Sequence, residues 1–393
     1  MKVAGIICEY NPFHNGHLYQ IEQTRKEATH IVCAMSGNFV QRGDLAIADK
    51  WTRAKIAVLC GADLVVEIPT PWACSPAENF ARGGVHLLAS IGADIISFGC
   101  ENSDSRILKK AAEAVDSPAT GELIKAGMSK GLTYPAALRR AVAELFGNET
   151  AEVFDSPNNT LAVEYIRQSE NLGLSLNFLP IKRRKAQHAE EKLVYSSIAS
   201  AAALRNFDRT EEIKNYIPDV GYEVLSELER SGLYPYRIGN SERVLLAFLR
   251  RMQAEEMIRY VSDENGLAQR LHRASRTAAS FDELINNVKV KNVTLAAVRR
   301  AVFSCFLKIP CEFAGKLPAY IRILAMNKRG AEIIRNSSCP LPIITRHSQS
   351  AALSDFGREI YNLECSCTDI YSLFSKKISD CSREQTSPIF IKD

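Results

Sequence analysis

The sequence predicts an α/β protein with a doubly wound, Rossmann-like parallel sheet, followed by a mainly α-helical region. Five short runs, "VAGIICEY", "HIVCAMS", "DLVVEIP", "DIISFG" and "LNFLPIK", are almost entirely apolar. This is typical of strands that helices cover on both faces of a parallel sheet. Helical patterns such as "GHLYQIEQTRKEA" and "PAENFARGGVHLLASIG" separate these runs, and such alternation indicates a doubly wound domain. After about residue 206 the pattern is helical and strand signals are few.

The change of pattern predicts two domains, residues 1–208 and 209–393. A chain of 393 residues is long for a single core. The net charge is +4, but residues 259–346 carry 15 Lys and Arg against 6 Asp and Glu. This local excess suggests a polyanionic partner of the second domain, with solvated helix faces as the alternative.

Composition argues against a membrane or secreted protein. No apolar run is long enough to cross a bilayer, and the N-terminus lacks a signal-peptide cleavage pattern. The eleven cysteines are scattered and form no paired CxxC half-sites. We therefore expect a cytoplasmic protein with reduced thiols, no resident metal, no membrane partner and no implied protein partner.

The turn "NPFHNGH" links the first predicted strand to the first predicted helix. A helix N-terminus that follows a strand offers free backbone N–H groups to phosphate. His14 and His17 are spaced to face one point, and Gly16 allows close approach. We expect both imidazoles to be catalytic, because they can stabilise the charge that builds as pyrophosphate leaves. The turn resembles the HxGH signature of the adenylyl-transferring nucleotidyltransferase superfamily.

A second motif, "SSIASAAALRNF" (196–207), resembles the Ser/Thr-rich motif that closes the triphosphate site in the same superfamily. Ser200 would cap a helix and bind phosphate, and Arg205 lies one turn further on. A capping serine before an alanine-rich helix is the alternative.

Long, ordered motifs narrow the resemblance to one family. With "CEYNPFHNGH", "MSGNFVQRGDLAIADKWTRAKIAVLCGADLVVEIP", "PAENFARGG", "SFGCEN", "SPNNTLAVEYI" and "LPIKRR", the chain resembles the bacterial tRNA(Met) cytidine acetate ligase family along nearly its whole length. The resemblance implies that ATP activates acetate as acetyl-adenylate with release of pyrophosphate. The acetyl group then passes to N4 of the wobble cytidine of elongator tRNA(Met), giving N4-acetylcytidine and AMP. ATP is thus the expected co-substrate, with Mg²⁺ on its triphosphate.

The resemblance and the motifs together name three sets of site residues. The expected ATP site comprises Ile7, Cys8, Glu9, Tyr10, Asn11, Pro12, Phe13, His14, Asn15, Gly16, His17, Leu18, Tyr19, Gln20, Gly99, Asn158, Asn159, Arg183, Ser200 and Arg205. The expected pocket for acetate and the acceptor comprises Ser36, Gly37, Asn38, Gln41 and Arg42, where Arg42 is a hypothetical partner of the acetate carboxylate. The Arg-rich segment "NVKVKNVTLAAVRRAVFSCFL" is expected to bind tRNA through Lys289, Lys291, Arg299 and Arg300.

Several of these residues have plainer alternative roles. Asn158 and Asn159 precede a helix and are suited to capping. Lys182, Arg184 and Lys185 extend the basic edge beside Arg183, or are simply solvated charges. Asp49, Lys50 and Arg53 fit an N-terminal cap with flanking surface charges.

Two other functions are compatible with the motifs. A small-molecule adenylyltransferase would use the same turn and the same Ser200 and Arg205, but it leaves the basic helical region unexplained. A protein that senses nucleotide and RNA without catalysis has less need of two placed histidines. Pyrophosphate release from ATP and acetate separates these classes.

Overall fold

The computed structural model describes residues 1–183, 199–261, 266–291 and 293–393. Arg184, Lys185 and the first residues of the "SSIASAAALRNF" motif lie outside the described residues. Within the described ranges, no helix is long and apolar enough to cross a membrane. All eleven cysteines are free thiols.

Strands occur in both halves of the described chain. They are β1 (Val3–Cys8), β2 (His30–Ser36), β3 (Phe39–Val40), β4 (Asp44–Leu45), β5 (Leu64–Ile68), β6 (Ile95–Cys100), β7 (Asn177–Lys182), β8 (Ile321–Asn327), β9 (Ile343–Ile344) and β10 (Phe390–Lys392). The five runs predicted as strands correspond to β1, β2, β5, β6 and β7.

The helices alternate with the strands in the first half and dominate the second. They are α1 (Asn15–Glu27), α2 (Lys50–Leu59), α3 (Thr70–Ala73), α4 (Ala77–Ser90), α5 (Ser105–Asp116), α6 (Pro118–Ser129), α7 (Tyr134–Phe146), α8 (Asn148–Ala151), α9 (Pro157–Asn171), α10 (Ala201–Leu204), α11 (Thr210–Ile213), α12 (Asp219–Arg230), α13 (Glu242–Arg251), α14 (Ala254–Met257), α15 (Leu267–Thr277), α16 (Phe281–Val288), α17 (Leu295–Phe306), α18 (Lys328–Asn336), α19 (Asp355–Tyr371) and α20 (Arg383–Thr386).

One large sheet carries the fold. Within the described chain its order is β10-β8-β5-β2-β1-β6-β7, and β9 pairs with the edge of β8. The strands β5, β2, β1, β6 and β7 run parallel to one another, so the predicted doubly wound parallel sheet is confirmed. From β1 the chain adds β2 and β5 on one side and later returns to add β6 and β7 on the other. The direction in which strands are added therefore reverses at β1. In such folds ligands bind beside the carboxyl ends of the strands at this point.

Side chains of successive residues in the central strands enter different cores. Ile7 packs in the core that includes α4 and α9, whereas Ile6 packs with α1 and α2 on the other face. Val32 and Cys33 of β2 divide in the same way. This follows from the two-residue period of a strand, and it explains why both kinds of position are apolar.

The second half of the chain is mainly helical, but it also completes the sheet. Helices α13, α15, α16 and α17 enclose a separate apolar cluster. β8 pairs antiparallel with β5, and β9 and β10 pair with β8. The sequence did not predict β8, because Arg322 interrupts its apolar run. In the structure Arg322 is itself buried. The division of the chain into domains 1–208 and 209–393 stays a prediction.

The small β3–β4 hairpin joins the sheet to the helical cluster. The two strands pair antiparallel just after β2. The ring of Phe39 lies 5.7 Å from that of Phe303 in α17 and 5.9 Å from that of Tyr371 in α19. The loop that follows β2 is therefore held between both halves of the molecule.

Candidate active site at the carboxyl ends of β1, β2 and β6

The two histidines of the opening turn cap helix α1 together. His14 is the N-cap residue, and its Nδ1 accepts a hydrogen bond of 3.0 Å from the backbone N–H of Gly16. The backbone N–H of His14 donates in turn to Nδ1 of His17, at 3.2 Å. The spacing of three residues is that of a capping box, in which the first and fourth side chains satisfy helix-start N–H groups reciprocally.

These caps determine which ring nitrogen can donate. Because Nδ1 of each neutral imidazole accepts a bond from backbone N–H, the ring proton of each residue lies on Nε2. In the described part of the chain, neither Nε2 has a hydrogen-bond partner. The two rings stack with centroids 3.6 Å apart and an angle of 17°. The turn thus holds two imidazole N–H donors on neighbouring stacked rings, and an anion site requires such fixed donors.

Burial and neighbouring positive charges keep both imidazoles neutral. Burial lowers the pKa of His14 to about 3, with smaller contributions from the charges of Arg183 and Arg205. The pKa of His17 also lies well below its usual value, through burial and then the charges of His14 and Arg183. Protonation of either ring is unfavourable mainly because the ring is buried, and the positive charges nearby add to this effect. The same field favours a bound polyanion.

Aromatic side chains hold His17 from behind. Its ring lies 4.9 Å from Tyr10 and 5.6 Å from Phe13, measured between centroids. Tyr10 adopts a left-handed backbone conformation with φ of 47°, which is uncommon for a residue with a side chain. This turn leads the chain from β1 into α1 and places the rings of Tyr10 and Phe13 against the ring of His17.

The second motif approaches the same turn. Arg205 donates from Nη1 to the carbonyl oxygen of Asn11 at 2.9 Å. Burial lowers the pKa of Arg205, Glu9 opposes that shift, and the charges of Arg42 and Arg299 add to it. Ser200 is the N-cap of α10, where its hydroxyl accepts from the backbone N–H of Ala203 at 3.2 Å. Arg205 therefore lies beside the histidine turn, whereas the observed role of Ser200 is capping.

The end of β6 contributes a polar network. Glu101 accepts from Nδ2 of Asn158 at 2.7 Å and from the hydroxyl of Ser156, and it lies 3.4 Å from Nε of Arg183. Asn159 is buried, and its Oδ1 accepts from the backbone N–H groups of Glu101 and Asn102 at 2.9 and 3.1 Å. Asn158 and Arg183 thus contact the carboxylate of Glu101, and Asn159 holds its backbone; the sequence analysis did not assign Glu101 to the site.

Gly99 leaves the approach to this network open. A side chain at Gly99 would contact Cγ of Arg183 at 3.5 Å and Oε1 of Gln20 at 3.8 Å. Gln20 is held by a bond of 3.2 Å from its Nε2 to the carbonyl oxygen of Ser97. The backbone of Gly99, which is half-buried, therefore lies between two polar side chains of the expected nucleotide site.

The loop after β2 lies on the opposite side of the candidate site from the end of β6. The backbone N–H of Gln41 donates to Oε1 of Glu9 at 3.0 Å, which ties this loop to the opening turn. Arg42 is exposed at the loop tip. Asn38 is buried and structural, since its Oδ1 accepts from the backbone N–H of Lys50 and its Nδ2 donates to Thr368. Ser36 is fully buried, and its hydroxyl has no partner among the described residues.

Two of the four residues predicted to bind tRNA also hold this loop. Arg299 donates from Nε to the carbonyl oxygen of Gly43 at 3.1 Å and pairs with Asp44 at 2.7 Å. Arg300 donates to the carbonyl oxygen of Gln41 at 3.2 Å, and burial lowers its pKa. Lys289 and Lys291 are exposed after α16. The second pair is thus open to a polyanion, whereas the first is half-buried and already bonded.

The charges at the start of α2 are internal, and the alternative of flanking surface charges is wrong. Asp49 caps the helix through the backbone N–H of Thr52 at 2.9 Å. Lys50 and Arg53 are both buried. Nζ of Lys50 lies 2.6 Å from Oε1 of Glu67 in β5 and also pairs with Glu384. A sequence signal existed, because Glu67 interrupts the apolar run "LVVEIP" and a charge in a central strand needs a buried partner.

The fold and the site define a class of protein. A doubly wound sheet whose first strand leads to a histidine-capped helix, beneath a positive field, is the arrangement of a nucleotidyltransferase. The sequence model of the HIGH nucleotidyl transferase family matches residues 1–386.

Named relatives narrow the class to one family. The tRNA(Met) cytidine acetate ligase of Thermoanaerobacter sp. (strain X514) is 36% identical over 99% of both chains. The enzyme of the same name from Alkaliphilus metalliredigens is 32% identical over 100% of both chains. The crystal structure of Thermotoga maritima TmcAL bound with alpha-thio ATP superposes with a TM-score of 0.92, at 30% identity and full coverage of both chains. The chain belongs to the tRNA(Met) cytidine acetate ligase family.

Proposed function

We propose that this protein acetylates N4 of the wobble cytidine of elongator tRNA(Met) at the expense of ATP. The observation that carries the proposal is the pair of stacked, neutral histidines that carry their ring protons on Nε2, with Arg183 and Arg205 close by. The family relatives bear the name of this activity. The solved relative was crystallised with alpha-thio ATP.

The first step joins acetate to AMP. A carboxylate oxygen of acetate attacks the α-phosphorus of ATP, the bond from that phosphorus to the bridging oxygen breaks, and pyrophosphate leaves. His14 and His17 donate from Nε2 to phosphate oxygens on which charge accumulates. Neutral N–H donors suit this task, because they are already in place and stabilise a developing anion by hydrogen bonding without proton transfer.

The second step transfers the acetyl group. The cytosine amino nitrogen is a weak nucleophile because its lone pair is delocalised into the ring, so free acetate would not react. In the mixed anhydride, N4 attacks the acyl carbon, the bond from that carbon to the phosphate oxygen breaks, and N4 loses a proton as AMP leaves. A base in a single-stranded anticodon loop can reach such a site without opening a duplex.

Further site assignments are part of the proposal. The turn from Ile7 to Gln20, with Gly99, Asn158, Asn159, Arg183, Ser200 and Arg205, would bind ATP. Residues 36–38 with Gln41 and Arg42 would wall the acetate side, and exposed Arg42 is the candidate partner of the carboxylate. Lys289 and Lys291, with the partly bonded Arg299 and Arg300, would contact tRNA phosphates.

Mg²⁺ is expected to enter with the triphosphate. The described residues contain no cluster of three or more His, Cys, Asp or Glu side chains arranged to hold a metal ion. Mg²⁺ commonly keeps several waters and binds mainly to substrate phosphates. Glu9 and Glu101 are two carboxylates in the described part of this site, and when bound the ion would neutralise charge on the departing pyrophosphate.

The test is incubation of the purified protein with ATP, carbon-labelled acetate and total tRNA, followed by nucleoside digestion. We expect label in N4-acetylcytidine. His17→Gln and His17→Asn are a matched pair, since a Gln amide reaches the position of Nε2 and an Asn amide does not. Loss of the donor in His17→Asn should lower kcat about 10²–10³-fold, and His17→Gln should retain more activity.

The outcomes separate the candidate functions. Labelled N4-acetylcytidine that depends on His17 supports the proposal. Acetate-dependent pyrophosphate release without labelled tRNA would point to another acceptor. Absence of both, with ATP and tRNA still bound, would favour a binding protein.

A further inference from the structure

The side chain of Arg53 joins the two loops that form the candidate active site. It is 1% exposed and lies in the first turn of α2. Its Nε donates to the carbonyl oxygen of Ala48 at 2.9 Å, and its Nη1 donates to that of Glu9. Its Nη2 donates to the carbonyl oxygens of Ser36, at 3.1 Å, and Gly37. One planar group thus satisfies four backbone carbonyls from three segments.

These carbonyls lie where two neighbouring strands separate. β1 and β2 are paired in register up to Cys8 and Met35. Glu9 and Ser36–Gly37 come directly after that last pair, where the pairing of β1 with β2 has ended. From there one strand leads to the histidine turn and the other to the loop with Gln41 and Arg42. Arg53 therefore fixes the separation of these two loops at the point where they leave the sheet.

The charge of Arg53 is not neutralised by direct pairing. In the described part of the chain, no carboxylate lies within 4.0 Å of its guanidinium, although the charges of Asp49 and Glu9 act on it from further away. Burying a cation without a close counter-ion is costly. An apolar side chain would avoid that cost but would remove a side-chain donor from each of the four carbonyls. A fixed guanidinium provides both donors and a permanent positive charge.

We propose that Arg53 is a positioning residue for acetate activation, which rests on the proposed function. It holds the nucleotide turn and the loop after β2 at the separation in which a carboxylate can meet the α-phosphate. Its charge also favours the two anions that must approach each other there. Arg53 itself lies behind the backbone and does not touch either substrate.

Acetate-dependent exchange of labelled pyrophosphate into ATP tests this role in Arg53→Met and Arg53→Lys. Misplacing reacting groups by about 1 Å can cost up to about 100-fold in rate. We expect kcat for exchange to fall about 10–100-fold in Arg53→Met, while the KM for ATP changes less than about threefold, because the histidine donors remain. Arg53→Lys keeps the charge and should recover part of kcat.

Arg25→Met is the matched control. Arg25 also donates to two carbonyls, those of Thr29 at 2.6 Å and Gly61 at 2.8 Å, but it does so at the amino ends of the strands, where it also pairs with Asp63 at 2.6 Å. It should lower thermal stability and leave kcat for exchange unchanged. The two arginines therefore compare guanidinium-to-carbonyl contacts at opposite ends of the strands, and Arg25 differs in having a carboxylate partner as well.

Three results would overturn the inference. One is a folded Arg53→Met or Arg53→Lys enzyme whose kcat lies within twofold of the unaltered protein. Another is an equal fall in kcat for Arg25→Met, which would make the effect one of general stability. If Arg53→Met does not fold, Arg53→Lys decides the matter through its kcat. No exchange by the unaltered protein would reject acetate activation itself, and the role of Arg53 with it.

Discussion

Acidification should destabilise this protein through His14, and the structure sets the size of the effect. The folded-state pKa of His14 is about 3, mainly because the ring is buried, against about 6.5 in an unfolded chain. Between these values the unfolded chain binds a proton that the folded protein does not. The free energy of unfolding therefore falls as pH falls below 6.5, and it is insensitive to this group above 6.5.

The perturbation is a change from pH 7 to pH 5 in the unaltered protein and in His14→Asn. One pKa unit corresponds to about 1.36 kcal/mol. A shift from 6.5 to about 3 therefore costs the folded state about 2 kcal/mol at pH 5 and only about 0.2 kcal/mol at pH 7. Asparagine is a good N-cap and can accept from Gly16 as Nδ1 does. The variant removes the titration and keeps the cap.

The assay is urea unfolding of both proteins at the two pH values. We expect the unaltered protein to lose about 2 kcal/mol more than His14→Asn on acidification. Equal losses would mean that His14 titrates near its normal pKa. The argument for a neutral Nε2 donor would then fail, and with it the assignment of the turn as a preorganised anion site.

Three further predictions follow from other parts of the molecule. Lys289→Glu combined with Lys291→Glu should weaken tRNA binding and reduce the slope of log affinity against log salt by about 1.4–1.8. Filter binding measures the slope, and unchanged ATP affinity is the control. An unchanged slope would mean that tRNA binds to another surface. Lys50→Met leaves Glu67 buried without its cation and should lower the free energy of unfolding by about 3–5 kcal/mol in urea titrations, and a loss below about 1 kcal/mol would contradict this account. Gly43 has φ of 69°, and a Cβ there would lie 2.5 Å from the backbone nitrogen of Arg300, so Gly43→Ala should displace the loop and raise the KM for acetate. Gly131→Ala is the control for left-handed backbone strain, because a Cβ at Gly131 meets nothing within 4 Å. Equal acetate KM values in the two variants would argue against a role of the loop in acetate binding.

Much of the fold and part of the site were predictable because they depend on local patterns. A strand that is covered on both faces must be apolar throughout, so β1, β2, β5, β6 and β7 are visible in the sequence. A capping box needs only four consecutive residues, so the spacing of His14 and His17 already marks the helix start. The strand order then brings the ends of β1 and β6 together.

Other features depend on partners that are distant in the chain. Glu384 pairs with Lys50 across more than three hundred residues, and Glu364 accepts from the backbone N–H of Thr70. Arg53 looks like a surface charge in a helix until three loops fold over it. Arg299 and Arg300 look like a free basic pair until their contacts with residues 41–44 are seen.

The sequence by itself determined the doubly wound sheet, the histidine turn and the resemblance to an acetate ligase, because each resides in a short segment whose chemistry is complete within it. Only the tertiary structure decided which charges are buried, which arginines hold loops rather than face solvent, and which ring nitrogens donate. The reason is that the energy of a charge or a hydrogen-bonding group depends on its surroundings. Those surroundings come from strands and helices that the chain brings together only on folding.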